Sequence, residues 1–309
     1  MCGFLAFKSK DYDEDKIKLS ASRIQYRGPD NTSYLFSDNH GMVFHRLAIV
    51  DTSEKGNQPL IHPQEEDISL VCNGEIYNHK QLIRDNSFKI SSESDCEVIL
   101  HMYKDFGIEK TVKSIDGVFA FALYDARINT LFVARDPYGV RPLFVGKNKK
   151  GESIFASEAK ALIDLCEDIK QFDQGAFWTS AQPAKFKRYY STRFNTKKHT
   201  DEAIILKNIN SSLSNAVEKR LMSDRELGCL LSGGLDSSLI SALAIKLSGQ
   251  KLNTFSIGME GSPDLFYAEK VANHISSRHH SVKLSTKEFL DAIPEVIEKI
   301  ESYDTTTVR

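Results

Sequence analysis

The sequence predicts two architectures in succession: an α+β domain of layered antiparallel sheets, then an α/β domain with a doubly wound parallel sheet. Three observations predict it. Residues 3–156 carry many short strand-like runs with few helices between them. Residues 183–200 turn basic and turn-rich (Lys185, Lys187, Arg188, Arg193, Lys197, Lys198), the composition of a solvated connector. From Asp201 onward helices and strands alternate one for one, the pattern of a parallel sheet. The domains are therefore placed at 1–188 and 189–309.

Bulk properties narrow the function classes. The chain has 309 residues, 41% hydrophobic and 27% charged, which suits a globular protein of two ordinary domains. A net charge of −2 gives no broad footprint for nucleic acid or a membrane surface, so neither is an expected partner. No apolar run approaches membrane-spanning length, and the N-terminus lacks the basic and apolar regions of a signal peptide. The five cysteines (Cys2, Cys72, Cys96, Cys166, Cys229) are odd in number, scattered and without a CxxC pair. That indicates neither a zinc site nor a disulfide framework, and a reducing, cytoplasmic setting is the expectation.

Met1-Cys2-Gly3-Phe4-Leu5-Ala6-Phe7 reads as a strand that starts almost at the terminus. If Met1 is removed, which the small side chain behind it favours, the Cys2 thiol stands beside a free α-amine of ordinary pKa about 7.7–8.0. Nucleophile and general base then share one residue. The alternative is a small buried hydrophobe on a terminal strand. A charged, partly amphipathic helix follows over 11–25 and ends at the turn Arg27-Gly28-Pro29-Asp30. Strands are expected around Ser33–Phe36 and over Gly41–Val50. The second holds Arg46, which is either an edge arginine with a solvated head or a fork for a carboxylate.

Ile68–Cys72 is a strand that runs into Asn73-Gly74. That dipeptide reads first as a hairpin or turn. It also sets a side-chain amide beside an unhindered N–H, the parts of an oxyanion hole. A short helix begins at His79. A longer one over Asp95–Lys113 opens with Ser94 and Glu97 at capping-box spacing, which makes Asp95 a first-turn acid favoured by the dipole. Residues 116–125 and 131–135 alternate like a hairpin, and Arg135–Gly139 is a turn. Pro142–Gly146 and Ser153–Ala156 are strands, and Ser157–Lys160 starts a short helix.

In the second part a helix runs from Asp201 to about Met222. The apolar run Leu230-Leu231 then stops at Ser232-Gly233-Gly234, and an amphipathic helix begins with Leu235, Asp236, Ser237 and Ser238. The glycines permit a sharp turn and close backbone approach. The fresh helix start presents unpaired N–H groups and a positive dipole end, which suits a phosphate or pyrophosphate. The alternative is an ordinary strand-to-helix turn with Asp236 or Ser237 as N-cap. A strand over Thr254–Met259, a helix over Asp264–Ser277, a strand over Ser281–Leu284 and a helix over Lys287–Tyr303 follow. Ligands of such sheets bind at the carboxyl ends of the strands, which brings Ile257, Gly258, Met259 and Glu260 to the same crevice.

The run SGGLDSS resembles the pyrophosphate-binding loop of the ATP pyrophosphatases. The first part resembles the class II, N-terminal-nucleophile (Ntn) glutamine amidotransferases through Cys2-Gly3, RGPD at 27–30, HRLAIVD at 45–51, NGEIYNH at 73–79, DGVFAF at 116–121 and RDPYGVRPL at 135–143. The second is similar to the asparagine synthetase domain through LSGGLDSS, SIGMEGSPD at 256–264 and YDTTTVR at 303–309. Both in this order resemble the glutamine-hydrolysing asparagine synthetases. The resemblance implies an Ntn-type fold first and an ATP-pyrophosphatase fold second. It implies Cys2 as nucleophile and Asn73 with Gly74 as oxyanion hole. Arg46 would take the glutamine α-carboxylate, Glu75 and Asp95 its α-ammonium, and Leu47, Ala48, Ile49 and Val50 would line the pocket. ATP would lie across Leu231, Ser232, Gly233, Gly234, Leu235, Asp236, Ser237, Ile257 and Gly258, with Mg²⁺ on its phosphates and Asp236 as a possible ligand.

Ammonia would travel inside the protein and displace AMP from adenylated aspartate. Glutamine, aspartate and Mg-ATP are the implied substrates, with no tightly bound cofactor, and a homodimer is the implied assembly. Tyr26 stands where the family usually has His. Family members are longer, so Arg309 is expected to be the edge of a fragment, and the cut sheet is expected to expose apolar faces. A chain acting only as a glutaminase, or as a non-catalytic interaction module, are the competing functions. Intact Cys2, Arg46, Asn73-Gly74 and Asp95 argue against the module.

Overall fold

The computed structural model describes residues 1–192 and 201–304. The chain divides into two compact units, Met1–Arg193 and Phe194–Arg309. The first contains, in order, β1 (Gly3–Lys8), α1 (Glu14–Ser22), β2 (Asn31–Phe36), β3 (His40–Arg46), β4 (Leu60–His62), β5 (Glu65–Ile76), α2 (His79–Asn86), α3 (Glu97–Ser114), β6 (Gly117–Asp125) and β7 (Thr130–Arg135). Five short strands complete it: β8 (Phe144–Lys147), β9 (Ser153–Ala156), β10 (Asp168–Gln171), β11 (Ala176–Thr179) and β12 (Phe186–Arg188). They form two six-stranded sheets, in the orders β10-β8-β9-β1-β3-β2 and β12-β11-β7-β6-β5-β4. Every pairing in them is antiparallel.

Strand alternation builds four layers, since successive side chains leave opposite faces. On β1, Phe4 and Ala6 face the second sheet, and Leu5 and Phe7 face α1. On β6, Ala120, Ala122 and Tyr124 face the first sheet, and Phe119, Phe121 and Leu123 face α3. The core between the sheets is therefore separate from the cores under the helices. The expected α+β architecture of antiparallel sheets with covering helices is the one observed.

Several local expectations are corrected. The strand expected over Gly41–Val50 ends at Arg46, because the Arg46 guanidinium gathers the following loop. Its Nη1 donates to the Ser53 carbonyl and to Asn57 Oδ1, both at 2.7 Å, and its Nη2 donates to the Asp51 carbonyl. Asn73-Gly74 is not a turn. It lies inside β5, opposite Ala120 and Phe119 of β6, and a Cβ at Gly74 would sit 2.7 Å from the Val118 carbonyl oxygen. The glycine serves the close approach of the two strands.

Ser94 and Glu97 form no capping box. Cys96 occupies the N-cap of α3, and the Glu97 carboxylate accepts from the amides and hydroxyls of Ser91 and Ser92. Gly107, at φ +73°, interrupts α3. The helix expected from Ser157 is one 3-10 turn, Ala159–Ala161. Four short strands, β4 and β10–β12, were not expected from the sequence, and β12 falls inside the basic connector.

The second unit contains α4 (Glu202–Lys219), β13 (Gly228–Leu230), α5 (Leu235–Ser248), β14 (Asn253–Met259), α6 (Pro263–His274), β15 (Arg278–Leu284) and α7 (Thr286–Ile300). Its strands form the expected parallel sheet, in the order β13-β14-β15. Thr254 and Ser256 are buried on the α6 side. Leu230, Phe255, Ile257, Met259 and Val282 are exposed, in keeping with the expected bare apolar face. Arg193, Lys197 and Lys198 of the connector and residues 305–309 of the YDTTTVR run lie outside the described residues. Among the described residues no helix is long and apolar enough to cross a membrane.

Candidate active site

One cavity of the first unit collects most of the residues singled out for glutamine. Its wall includes Met1, Cys2, Arg46, Leu47, Ile49, Val50, Asn73, Gly74, Glu75 and Asp95. The two sheets supply it from opposite sides. Cys2 precedes β1 and packs on the inter-sheet core. Asn73 shares the face of β5 that carries Val71 into that same core. Ala48 does not line the cavity: its N–H donates to Asp30 Oδ2 at 2.8 Å.

The Cys2 sulfur accepts from the Leu47 N–H at 3.3 Å and donates to the Leu47 carbonyl at 3.5 Å. Burial pushes its thiol pKa up, against the Leu47 N–H and the nearby amine, which favour the thiolate. Across the cavity, the Asn73 Nδ2 is buried and has no hydrogen-bond partner. An unpaired buried donor costs about 1–3 kcal/mol. Such a cost persists where the group is kept for a ligand oxygen.

Asp95 is not a first-turn acid. It precedes the helix, is fully buried, and its carboxylate accepts from the Ile76 N–H at 2.6 Å. Burial, with the Glu75 charge adding to it, pushes its pKa up to about 7 despite that hydrogen bond. A cation beside it would restore the carboxylate. Arg46 lines the same cavity, with three hydrogen bonds holding its guanidinium to the 51–57 loop. Gly56 is required there, because a Cβ would collide with that guanidinium.

Gln58 and Arg141 are among the lining residues that the sequence does not assign to the site. Gln58 pairs reciprocally with the Cys72 backbone, donating at 3.1 Å and accepting at 2.6 Å, and so pins β5 beside Asn73. Arg141 donates to Glu75 Oε1 at 2.9 Å, and its Nε is buried without a partner. Arg141 sits within the RDPYGVRPL run, but only the fold shows that it faces Glu75.

In the second unit Ser232-Gly233-Gly234 joins β13 to α5. Leu231 extends the sheet by one bond, its N–H donating to the Phe255 carbonyl at 2.7 Å. The N-cap of α5 is Gly234, without a side-chain cap; neither Asp236 nor Ser237 caps the helix, so its first-turn N–H groups stay open. Gly233 has φ +78°, and a Cβ there would lie 2.6 Å from the Ala268 nitrogen. The Ser232 and Ser237 hydroxyls share a 2.9 Å hydrogen bond over the turn. Leu235 and Asp236 are exposed in the first turn of α5, while Ile257 and Gly258 lie near the carboxyl end of β14. Among the described residues no group of three or more His, Cys, Asp or Glu is arranged to hold a metal ion.

Comparison with known proteins gives two family matches. Residues 1–210 match the glutamine amidotransferase domain model, and residues 208–309 match the asparagine synthase model. The chain is 41% identical to asparagine synthetase [glutamine-hydrolyzing] of Gallus gallus, across 100% of this chain and 61% of that protein. It is 38% identical to asparagine synthetase B [glutamine-hydrolyzing] of Escherichia coli K12, across 99% of this chain and 58% of that protein. Asparagine synthetase [glutamine-hydrolyzing] 2 of Arabidopsis thaliana is 38% identical, with 100% and 55% covered. The chain thus spans a little over half the length of these relatives. Among solved structures, glutamine phosphoribosylpyrophosphate amidotransferase of B. subtilis aligns with a TM-score of 0.54 at 14% identity, covering 100% of this chain and 95% of that one. That likeness is one of fold alone.

Proposed function

This chain belongs to the glutamine amidotransferase family, and from that premise we propose that it carries the glutaminase of a glutamine-hydrolysing asparagine synthetase. One observation carries the reading: the buried, unpartnered Asn73 amide faces the cavity that also holds the Cys2 sulfur. The Cys2 sulfur attacks the side-chain carbonyl of glutamine, and its proton passes to the α-amine that excision of Met1 frees. Asn73 Nδ2 and the Gly74 N–H hold the resulting oxyanion. The amine returns the proton to the leaving nitrogen as the C–N bond breaks, releasing ammonia and leaving a glutamyl thioester. Water then cleaves the thioester to glutamate and free thiol. Arg46 takes the α-carboxylate with the donors that the loop leaves free, and Glu75 and Asp95 take the α-ammonium. Leu47, Ile49 and Val50 form the pocket wall. Met1 occupies one side of this cavity. Excision of Met1, which lines it, makes room for substrate.

Residues 1–188 are assigned to the glutaminase domain and 189–309 to the start of the synthetase domain, an assignment supported by the two compact units and the two family matches. In the whole protein Leu231–Ser237, Ile257 and Gly258 would hold ATP, and Asp236 would supply a carboxylate toward the Mg²⁺ that neutralises its phosphates. ATP would activate the aspartate side chain, and ammonia would displace AMP to give asparagine. The free cysteines support a reducing, cytoplasmic setting, and a homodimer completes the reading. The test is glutamate release by the wild-type chain and by Cys2→Ala, with Met1 excision verified by intact mass. The reading requires release by the first and none by the second.

A further inference from the structure

Between the loop that holds Arg46 and the segment that carries Asp95 lies a buried carboxylate that the proposed chemistry does not use. Asp51 closes the HRLAIVD run, is buried, and is not part of the cavity wall. Its backbone sits in the left-handed region, at φ +55°. Gly, and after it Asn and Asp, tolerate that region best, and a residue is kept there where its surroundings fix it. The Arg46 guanidinium donates to the Asp51 carbonyl. Asp51 Oδ1 accepts from the Ser53 N–H at 3.0 Å and from the Ser53 hydroxyl at 2.5 Å, which shapes the loop that holds Arg46. Asp51 Oδ2 reaches a different segment and accepts from the Glu93 N–H at 2.9 Å. That segment leads directly to Ser94 and Asp95 in the cavity wall. Glu97 holds it as well, through the amides of Ser91 and Ser92, and Ser92 Oγ accepts from the Ser94 N–H at 3.2 Å. One carboxylate thus ties the Arg46 loop to the Asp95 segment.

We infer that Asp51 is a positioning residue that sets the separation between Arg46 and Asp95, so that the cavity measures the amino-acid end of glutamine. The inference rests on the proposed reading, in which Arg46 takes the α-carboxylate and Asp95 the α-ammonium. The two charges of an amino acid stand a fixed distance apart across one carbon. Two receiving groups on separate loops select for that distance only when the loops are braced against each other. A carboxylate suits the brace, because it only accepts and offers an oxygen to each side. An amide in its place keeps one acceptor and turns an NH₂ group toward a donor.

The test compares wild type, Asp51→Asn, Asp51→Gly and Cys2→Ala as full chains, each checked for folding by circular dichroism and for Met1 excision by mass. Asn and Gly both tolerate the left-handed backbone, so these variants isolate the carboxylate. Amide hydrolysis is followed with glutamine, with glutaramate, which lacks the α-amine, and with γ-aminobutyramide, which lacks the α-carboxylate. Contacts to the amino-acid end are made alike in the ground and transition states, so their loss appears in KM. Both variants are expected to raise KM for glutamine about tenfold, the worth of one hydrogen bond to a charged group, with kcat nearly unchanged. The preference in kcat/KM for glutamine over each analogue is expected to fall by a similar factor, a change that a general loss of stability does not produce. Should one Asp51 variant fail to fold, the other decides alone. A folded, Met1-free Asp51 variant with the wild-type KM or the wild-type preferences overturns the inference, and so does a loss confined to kcat. Glutamate release by Cys2→Ala, or a wild type indifferent to the missing α-groups, overturns the underlying reading instead, so the two failures are told apart.

Discussion

The Asn73 amide is one of several buried polar groups without a hydrogen-bond partner, and it lines the cavity. Replacing it by Ala removes a donor that no protein group accepts from. Its removal relieves the cost of an unpaired buried donor, so stability should not fall, while the proposed oxyanion loses a partner. Asn73→Ala is expected to lower glutaminase kcat about 10²–10³-fold with a melting temperature no lower than that of the wild type, read by steady-state kinetics and calorimetry. Asp95 behaves differently. Its folded pKa is raised to about 7, mainly by burial, so the folded state holds a proton that the unfolded chain releases near the ordinary carboxylate value. The folded state is therefore penalised as pH rises from about 4 through 7. Asp95→Asn, which cannot ionise, should stabilise the unit by on the order of 4 kcal/mol at pH 8 and by little at pH 4. It should raise KM for glutamine at both ends of that range. Thermal melts across pH, paired with kinetics, check both. Cys2, Arg46, Glu75 and Asp95 were legible as residue types. The burial of Asp95 was not, because capping-box spacing offered a sufficient local explanation.

At the level of elements, the sequence speaks clearly where strands are long and two-faced. DGVFAFALYD alternates Ala120, Ala122 and Tyr124 toward the inter-sheet core with Phe119, Phe121 and Leu123 toward α3, and it folds as read. The three-residue β4 and β12 and the four-residue β10 and β11 carry too few alternations to be seen. Asn73-Gly74 misleads because local turn chemistry competes with a long tertiary pairing, and the pairing wins. Gly74→Ala should consequently cost about 1–3 kcal/mol by overpacking β5 against β6 and should also abolish glutaminase activity. Gly233→Ala is the matching substitution in the other unit. Its positive φ and the nearby Ala268 nitrogen predict a loss of about 1–3 kcal/mol. Limited proteolysis should detect that loss in the second unit, with glutamine hydrolysis unaffected.

For the whole molecule, two units of different sheet type match two different family models, which meet near residue 208. The class of each unit was legible because antiparallel meanders and βα alternation leave different periodicities. The cavity was legible only as a set of residues, since its construction from both sheets depends on pairings that no local pattern states. The central claim is that Cys2 attacks glutamine and that Asn73 waits for the oxyanion. The most direct measurement is glutamate and ammonia release from glutamine by the Met1-free chain, beside Cys2→Ala prepared in the same way. Equal amounts of both products from the wild type and none from the variant are predicted. Release by the variant, or none by a folded, Met1-free wild type, would contradict it.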